Sequence, residues 1–145
     1  MEPCFDFGDV PLVIDQRIGA EEVTQIPRTP KAEVYAQIEA DLVSAIPSLD
    51  VISLIKGRAS KGAAQSLLGK VYLYQQKFTE AAASFDEVIN SGVYALINDY
   101  SQLFSVASEN NSETVFDVEY SGAEGGGYGC LVCLEGNAGP GFQGI

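Results

Sequence analysis

SKGAAQSLLGKVYLYQQKFTEAAASFDEVINSG, residues 60–92, is the stretch that decides the fold. Ser60 is placed to cap a helix running to about Gln76, with Ala64, Leu67, Leu68, Val71 and Tyr72 on its inward face. A short turn, Gln76-Lys77-Phe78, leads to Thr79 as the expected cap of the next helix, whose inward residues are Ala81, Ala82, Phe85, Val88 and Ile89. Gly92, following Ser91, is the expected left-handed terminator. Two amphipathic helices joined by so short a turn must pack antiparallel.

Working outward, an earlier helix is signalled by Thr29 as N-cap and Pro30 at the first helical position, where a missing N–H costs nothing. Its apolar stripe is Val34, Tyr35, Ile38, Leu42 and Ile46, its solvated face carries Lys31, Glu33, Glu39 and Asp41, and Pro47 ends it. Residues 1–29 read as irregular, because Pro11 interrupts the apolar run around Val10 and Leu12. Residues 30–104 form the helical region, closing with one turn at Tyr100 to Phe104. From Glu113 to Tyr120 the pattern alternates, with Phe116, Val118 and Tyr120 on one side, which predicts a half-buried strand over 113–120. Residues 122–145 hold nine of the fifteen glycines, and 121–145 read as a Gly-rich tail.

Composition narrows the chemistry. A chain of 145 residues suits one domain and can bury roughly two-thirds of its unfolded surface. Eight Lys and Arg oppose twenty Asp and Glu, a net charge of −12. All eight cations lie at or before Lys77, and ten of the acids follow it. Such a second half repels nucleic acid, so no nucleic-acid partner is expected. Histidine is absent, which removes His-based acid–base catalysis, Ser-His-Asp and Cys-His nucleophiles and His-ligated metals. No apolar run approaches the roughly twenty residues of a membrane-spanning helix. The N-terminus lacks the basic start and apolar stretch of a signal peptide, so Cys4 is not expected to carry lipid.

The individual constellations favour bland readings. Cys130-Leu131-Val132-Cys133 offers two thiols where closed zinc needs four ligands, so no metal and no cofactor is expected. Asp86-Glu87, Asp117 with Glu119, and Glu39 with Asp41 have the composition of a glycosidase pair, yet all fall on predicted solvent faces, and no enzyme activity is expected. Gly125-Gly126-Gly127 lacks the Lys-Ser/Thr and the following helix of a phosphate cradle. Tyr128 is the candidate for stacking against a sugar ring, ahead of Tyr120 and Phe142.

The helix pair resembles the tetratricopeptide pattern. Leu68-Gly69 is followed by Tyr72, then by Ala81 and Phe85, at the diagnostic spacings. Gly69 and Ala81 are small where two helices touch, while Tyr72 and Phe85 fill the flanking space, so Leu68, Gly69, Tyr72, Ala81 and Phe85 are the expected packing scaffold. Gln65 replaces the pattern's Trp and Val93 its Pro. One clear copy is visible, and such repeats need neighbours to bury their faces.

A wider resemblance spans residues 7–120. Phe7-Gly8-Asp9-Val10-Pro11-Leu12, Glu33-Val34-Tyr35, Gly57-Arg58-Ala59-Ser60-Lys61-Gly62, Leu68-Gly69-Lys70-Val71-Tyr72, Asn90-Ser91-Gly92-Val93-Tyr94 and Asn111-Ser112-Glu113-Thr114-Val115-Phe116 succeed one another in an order similar to the SusD/RagB family of Bacteroidetes outer-membrane lipoproteins. The resemblance implies a mainly α fold, an α/α superhelix of antiparallel tetratricopeptide-like hairpins with a short strand near the C-terminus. It also implies a non-enzymatic component that binds oligosaccharide at the cell surface for a SusC-type TonB-dependent transporter. Family members are several times longer, so the chain is expected to be a scaffold fragment without signal peptide or lipidated Cys, with weak glycan affinity by itself. Bare helix faces imply self-association. The alternative is a tetratricopeptide-like protein–protein interaction module.

Overall fold

The computed structural model describes residues 8–15, 17–19, 21–53, 55, 57–101 and 110–117. Its elements are β1 (Val10–Pro11), a 3-10 turn (Val23–Gln25), β2 (Arg28–Thr29), α1 (Lys31–Ala45), a second 3-10 turn (Ile46–Ser48), α2 (Lys61–Tyr74) and α3 (Phe78–Ile89). The fold is mainly helical.

The segment before α1 is more ordered than its sequence suggests. β1 and β2 pair antiparallel, with Val10 opposite Thr29 and Pro11 opposite Arg28. Proline is tolerated in so short an edge pair. The pairing also moves the helix start by one residue. Thr29 is held in β2, so Pro30 is the N-cap and makes no side-chain cap bond. The cap comes from a distance: the Lys31 N–H donates to Asp9 Oδ1 at 2.8 Å. A carboxylate there meets both an orphan donor and the positive end of the helix. Asp9→Ala is therefore expected to cost about 1 kcal/mol. Faster amide exchange confined to the first turn of α1 would show it.

α1 buries Val34 and Tyr35 against α2, where Val71 has no exposed surface. Ile38, Leu42, Tyr74 and the strand-side residues Val10 and Leu12 close around that cluster. Pro47 permits only the 3-10 turn beyond Ala45.

α2 and α3 form the tightest pair. Ser60 caps α2, its Oγ accepting from the Ala63 N–H at 3.2 Å. Contacts run in opposite senses along the two helices, Gln65 reaching Glu87 and Gly69 meeting Phe85. A Cβ on Gly69 would lie 2.7 Å from Phe85 Cε1, so the approach depends on glycine. Leu68 and Ala81 are buried in the same interface, while Tyr72 and Phe85 are half-buried at its margins.

Several expectations need correction. Thr79 does not cap α3, which begins at Phe78 with Lys77 as N-cap and no side-chain cap bond. The chain turns earlier, at Gln76, whose φ of 62° is left-handed. Amides of Gln76 and Lys77 bond back to Leu73 O and Tyr72 O, each at 3.0 Å, and those bonds define the turn. Leu67, Ala82 and Ile89 are exposed rather than inward. Ala81, Phe85 and Val88 share one stripe of α3 and use up its contact with α2; Ala82 and Ile89 lie on the adjoining stripe, which no described helix covers. Gly92 does take a left-handed φ, 70°.

Past α3, Tyr100 and Ser101 enter a helical turn, and Leu103 and Phe104 lie outside the described residues. Residues 113–117 are turn and irregular backbone rather than strand, while Val118 to Tyr120 lie outside. Backbone groups of 112–114 instead bond to Ala95 and Asn111, and no described strand pairs with them.

Candidate functional site

A cleft of about 270 Å³ opens between the start of α2 and the chain on either side of it. One wall is the loop that enters α2. There the Ser53 hydroxyl donates to Ile55 O at 2.8 Å and accepts from the Ile55 N–H at 3.2 Å. Gly57 then turns the chain with φ 73° and brings Arg58 to the cleft.

The floor is Ser60 and Tyr94. Their hydroxyls are 3.0 Å apart and share a hydrogen bond, which fixes Tyr94 over the first turn of α2. Gly62 makes that possible, because a Cβ there would fall 2.5 Å from the Tyr94 ring. The residues that follow Ser60 in the sequence thus admit an aromatic from beyond α3.

The far wall is the segment 110–117. Ala95 and Ser112 are joined twice: the Ala95 N–H donates to Ser112 O, and the Ser112 hydroxyl donates to Ala95 O, both at 2.9 Å. Glu113 Oε2 accepts from the Ile97 N–H at 3.1 Å, and Asn111 Oδ1 accepts from the Glu113 N–H at 2.7 Å. Asn110, with φ 56°, makes the bend that starts this wall. Val115, Phe116 and Asp117 continue it, and Phe116 is 49% exposed. Among the described residues of the lining, Arg58 and Asp117 carry charge.

On the other side of Val93 and Tyr94 lies a second hollow of about 460 Å³, bordered by Lys61, Gln65 and Glu87. Buried Gln65 donates through Nε2 to Glu87 Oε2 and occupies the place where the tetratricopeptide pattern has Trp. A polar side chain is tolerated there because its partner is supplied across the interface.

Of the acidic pairs whose two members are both described, Glu39 with Asp41 and Asp86 with Glu87, neither converges on either hollow as a dyad. Glu39 accepts from Lys77 Nζ and Gln75 Nε2, tying α1 to the α2–α3 turn. Asp41 Oδ1 accepts from Gln37 Nε2 at 2.7 Å, and Glu87 is engaged by Gln65. Among the described residues no group of three or more metal-ligating side chains gathers. Tyr128, Cys4, Cys130, Cys133, Glu119, Tyr120 and Phe142 lie outside the described residues. The cleft itself was not anticipated. The two glycines in Gly57-Arg58-Ala59-Ser60-Lys61-Gly62 were its signal, since glycine at a helix entrance marks a close approach.

No family model matches the chain. A search of curated proteins finds SusD-like protein P2 of Formosa agariphila, 33% identical over 128 residues, which are 85% of this chain and 25% of that protein. SusD-like protein P25 of the same organism is 25% identical over 79% of this chain and 22% of its own length. Among solved structures, a SusD-like carbohydrate binding protein of Bacteroides fragilis superposes with TM-score 0.75 at 26% identity, covering 83% of this chain and 24% of that one. A second SusD-like protein of Bacteroides fragilis gives TM-score 0.68 at 33% identity, over 81% and 24% of the two chains. Over most of its length this chain is similar to SusD-like proteins. It spans about a quarter of the length of the curated relatives it matches. Among its described residues no helix is long and apolar enough to cross a membrane.

Proposed function

We propose that the protein is a non-enzymatic, SusD-like component of a glycan or nutrient uptake system, which binds oligosaccharide at the cell surface for a SusC-type TonB-dependent transporter. The observation that carries this reading is the superposition, at TM-score 0.75, on a solved SusD-like protein described as carbohydrate binding. In this reading the three helices are tetratricopeptide-like scaffold: Leu68, Gly69, Tyr72, Ala81 and Phe85 hold the α2–α3 hairpin, and loops at its ends face ligand. The whole polypeptide sits at the outer membrane as a lipoprotein, and Tyr128 remains a candidate for sugar stacking. Purified whole polypeptide on an oligosaccharide array should bind saturably and release no reducing ends. Absence of binding across the array, or hydrolysis of a bound glycan, would overturn the reading.

A tetratricopeptide-like interaction module is the second reading, and one observation favours it. Phe78 and Ile89, near the two ends of α3, are 64% and 69% exposed, and α3 packs chiefly on α2 among the described helices. Apolar surface of that kind seeks cover, so concentrated solutions of this chain should self-associate. A strictly monomeric elution profile at high concentration would argue against it.

A further inference from the structure

We propose that the second hollow, beside Val93 and Tyr94, binds a free α-amino acid with an apolar side chain, a ligand class independent of the glycan-binding reading above. Two opposite charges, Lys61 and Glu87, face this space of about 460 Å³. They do not satisfy each other, because among the described residues the ion pair that forms is Lys77 with Glu39. Opposite charges held apart across one hollow are what a zwitterion bridges.

Each end offers more than its charge. At the cationic end α2 begins. Of its first four amides, Lys61 donates to Asp50 O at 2.8 Å, Ala63 to the Ser60 hydroxyl at 3.2 Å and Ala64 to Ser60 O at 3.2 Å. The Gly62 N–H is left without a partner among the described residues. Gly62 borders the hollow next to Lys61, so a free amide, the positive end of the helix and an ammonium all suit one carboxylate. At the anionic end Gln65 is 7% exposed, and its Nε2 donates to Glu87 Oε2. That bond directs Gln65 Oε1 away from Glu87 and leaves it unpaired among the described residues. A buried acceptor without a donor is costly, and a ligand ammonium supplies N–H groups to Gln65 Oε1 and to Glu87 Oε1 together. Lys61 and Gln65 are four positions apart on one face of α2, about 6 Å between Cβ atoms, a span that the two charged groups of an α-amino acid can bridge. Val51, Val93 and the Tyr94 ring provide apolar surface for its side chain.

Neighbouring ligand classes match one end only. A phosphate or a simple carboxylate would suit Lys61 and Gly62 but bring negative charge to Glu87. An amine would suit Glu87 and bring positive charge to Lys61. The walls are in place before ligand arrives, since Ser60 holds Tyr94 and Glu87 holds Gln65.

The test is an amide chemical-shift titration of the 145-residue protein with L-phenylalanine and L-leucine, and with 2-phenylethylamine and 3-phenylpropanoate as analogues that each lack one charge. At least one amino acid should produce saturable shifts clustered at residues 61–65 and 87–94, with millimolar affinity, as befits a ligand of so few atoms. Each analogue should bind about tenfold more weakly than the amino acid of the same ring. Lys61→Met and Glu87→Gln should each weaken binding by about the same factor, while the amide spectrum of α1 stays unchanged. Glu87→Gln keeps an acceptor for Gln65, so its loss reports charge rather than packing. The assignment is overturned if neither amino acid shifts those amides, if either analogue binds as tightly as L-phenylalanine, or if either variant binds as well as the parent. Oligosaccharide capture by the whole polypeptide with no amino-acid shifts here removes this site and leaves the glycan-binding reading standing. Amino-acid shifts with no oligosaccharide capture do the reverse.

Discussion

Gly69→Leu is expected to lower the unfolding free energy by about 2 kcal/mol and to open the α2–α3 pair. Even a single added carbon at Gly69 would sit 2.7 to 2.9 Å from three carbons of the Phe85 ring, and leucine adds three more. Forcing such volume into a packed contact costs roughly 3 kcal/mol. Replacing a glycine inside a helix returns roughly 0.8 kcal/mol of intrinsic propensity, so the contact decides the sign. The ring has a route of escape because Phe85 is only half-buried, which is why the cost stays below that of a sealed core. Urea unfolding followed by far-UV circular dichroism measures the loss. Adding Phe85→Ala to the Gly69→Leu background should recover part of it, and that coupling separates a steric origin from a general weakening of α2. An unchanged or raised midpoint for Gly69→Leu would show that the helices are not held at this distance.

Tyr35→Ala carries the largest expected penalty, about 4 kcal/mol. Tyr35 is 2% exposed and, with Val34 and Val71, forms the buried cluster that joins α1 to α2. Truncation removes the ring and leaves a hollow at the centre of the contact between the two helices. A penalty of that size is comparable to the whole stability of many small domains. The effect should be lopsided: amides of α1 lose protection, while α2 and α3 keep each other. A loss below about 1 kcal/mol, or uniform loss of protection along all three helices, would contradict the division of the fold into a tight pair and a docked helix.

What the sequence announces, it announces through period and local chemistry. The stripes Val34, Tyr35, Ile38, Leu42 and Ala64, Leu68, Val71 identify α1 and α2, and Ser60 and Gly92 mark a start and a stop, because each of those signals acts within one or two turns. The misreadings have a common cause in distant partners. Thr29 has the side chain of a cap, but its backbone is recruited by Val10, and Asp9 caps in its place from 22 residues away. Thr79 is displaced by the left-handed Gln76, a conformation that a glycine would have advertised and a glutamine conceals. Ile89 has the hydrophobicity of a core residue and no described element to cover it. The cleft was hidden for the same reason, since Arg58, Tyr94 and Phe116 come together only when 95 and 112 are joined.

The double tie between Ala95 and Ser112 has an evolutionary corollary. Three of its four participating atoms are main chain, as are the bonds from Lys61 to Asp50 and from Thr114 to Asn111. Architecture secured by peptide groups does not depend on the identity of the residues around it. Mutational drift at positions 53, 58, 114, 116 and 117 can therefore alter the lining of the cleft while the frame persists, so proteins sharing this outline need not share its surface chemistry.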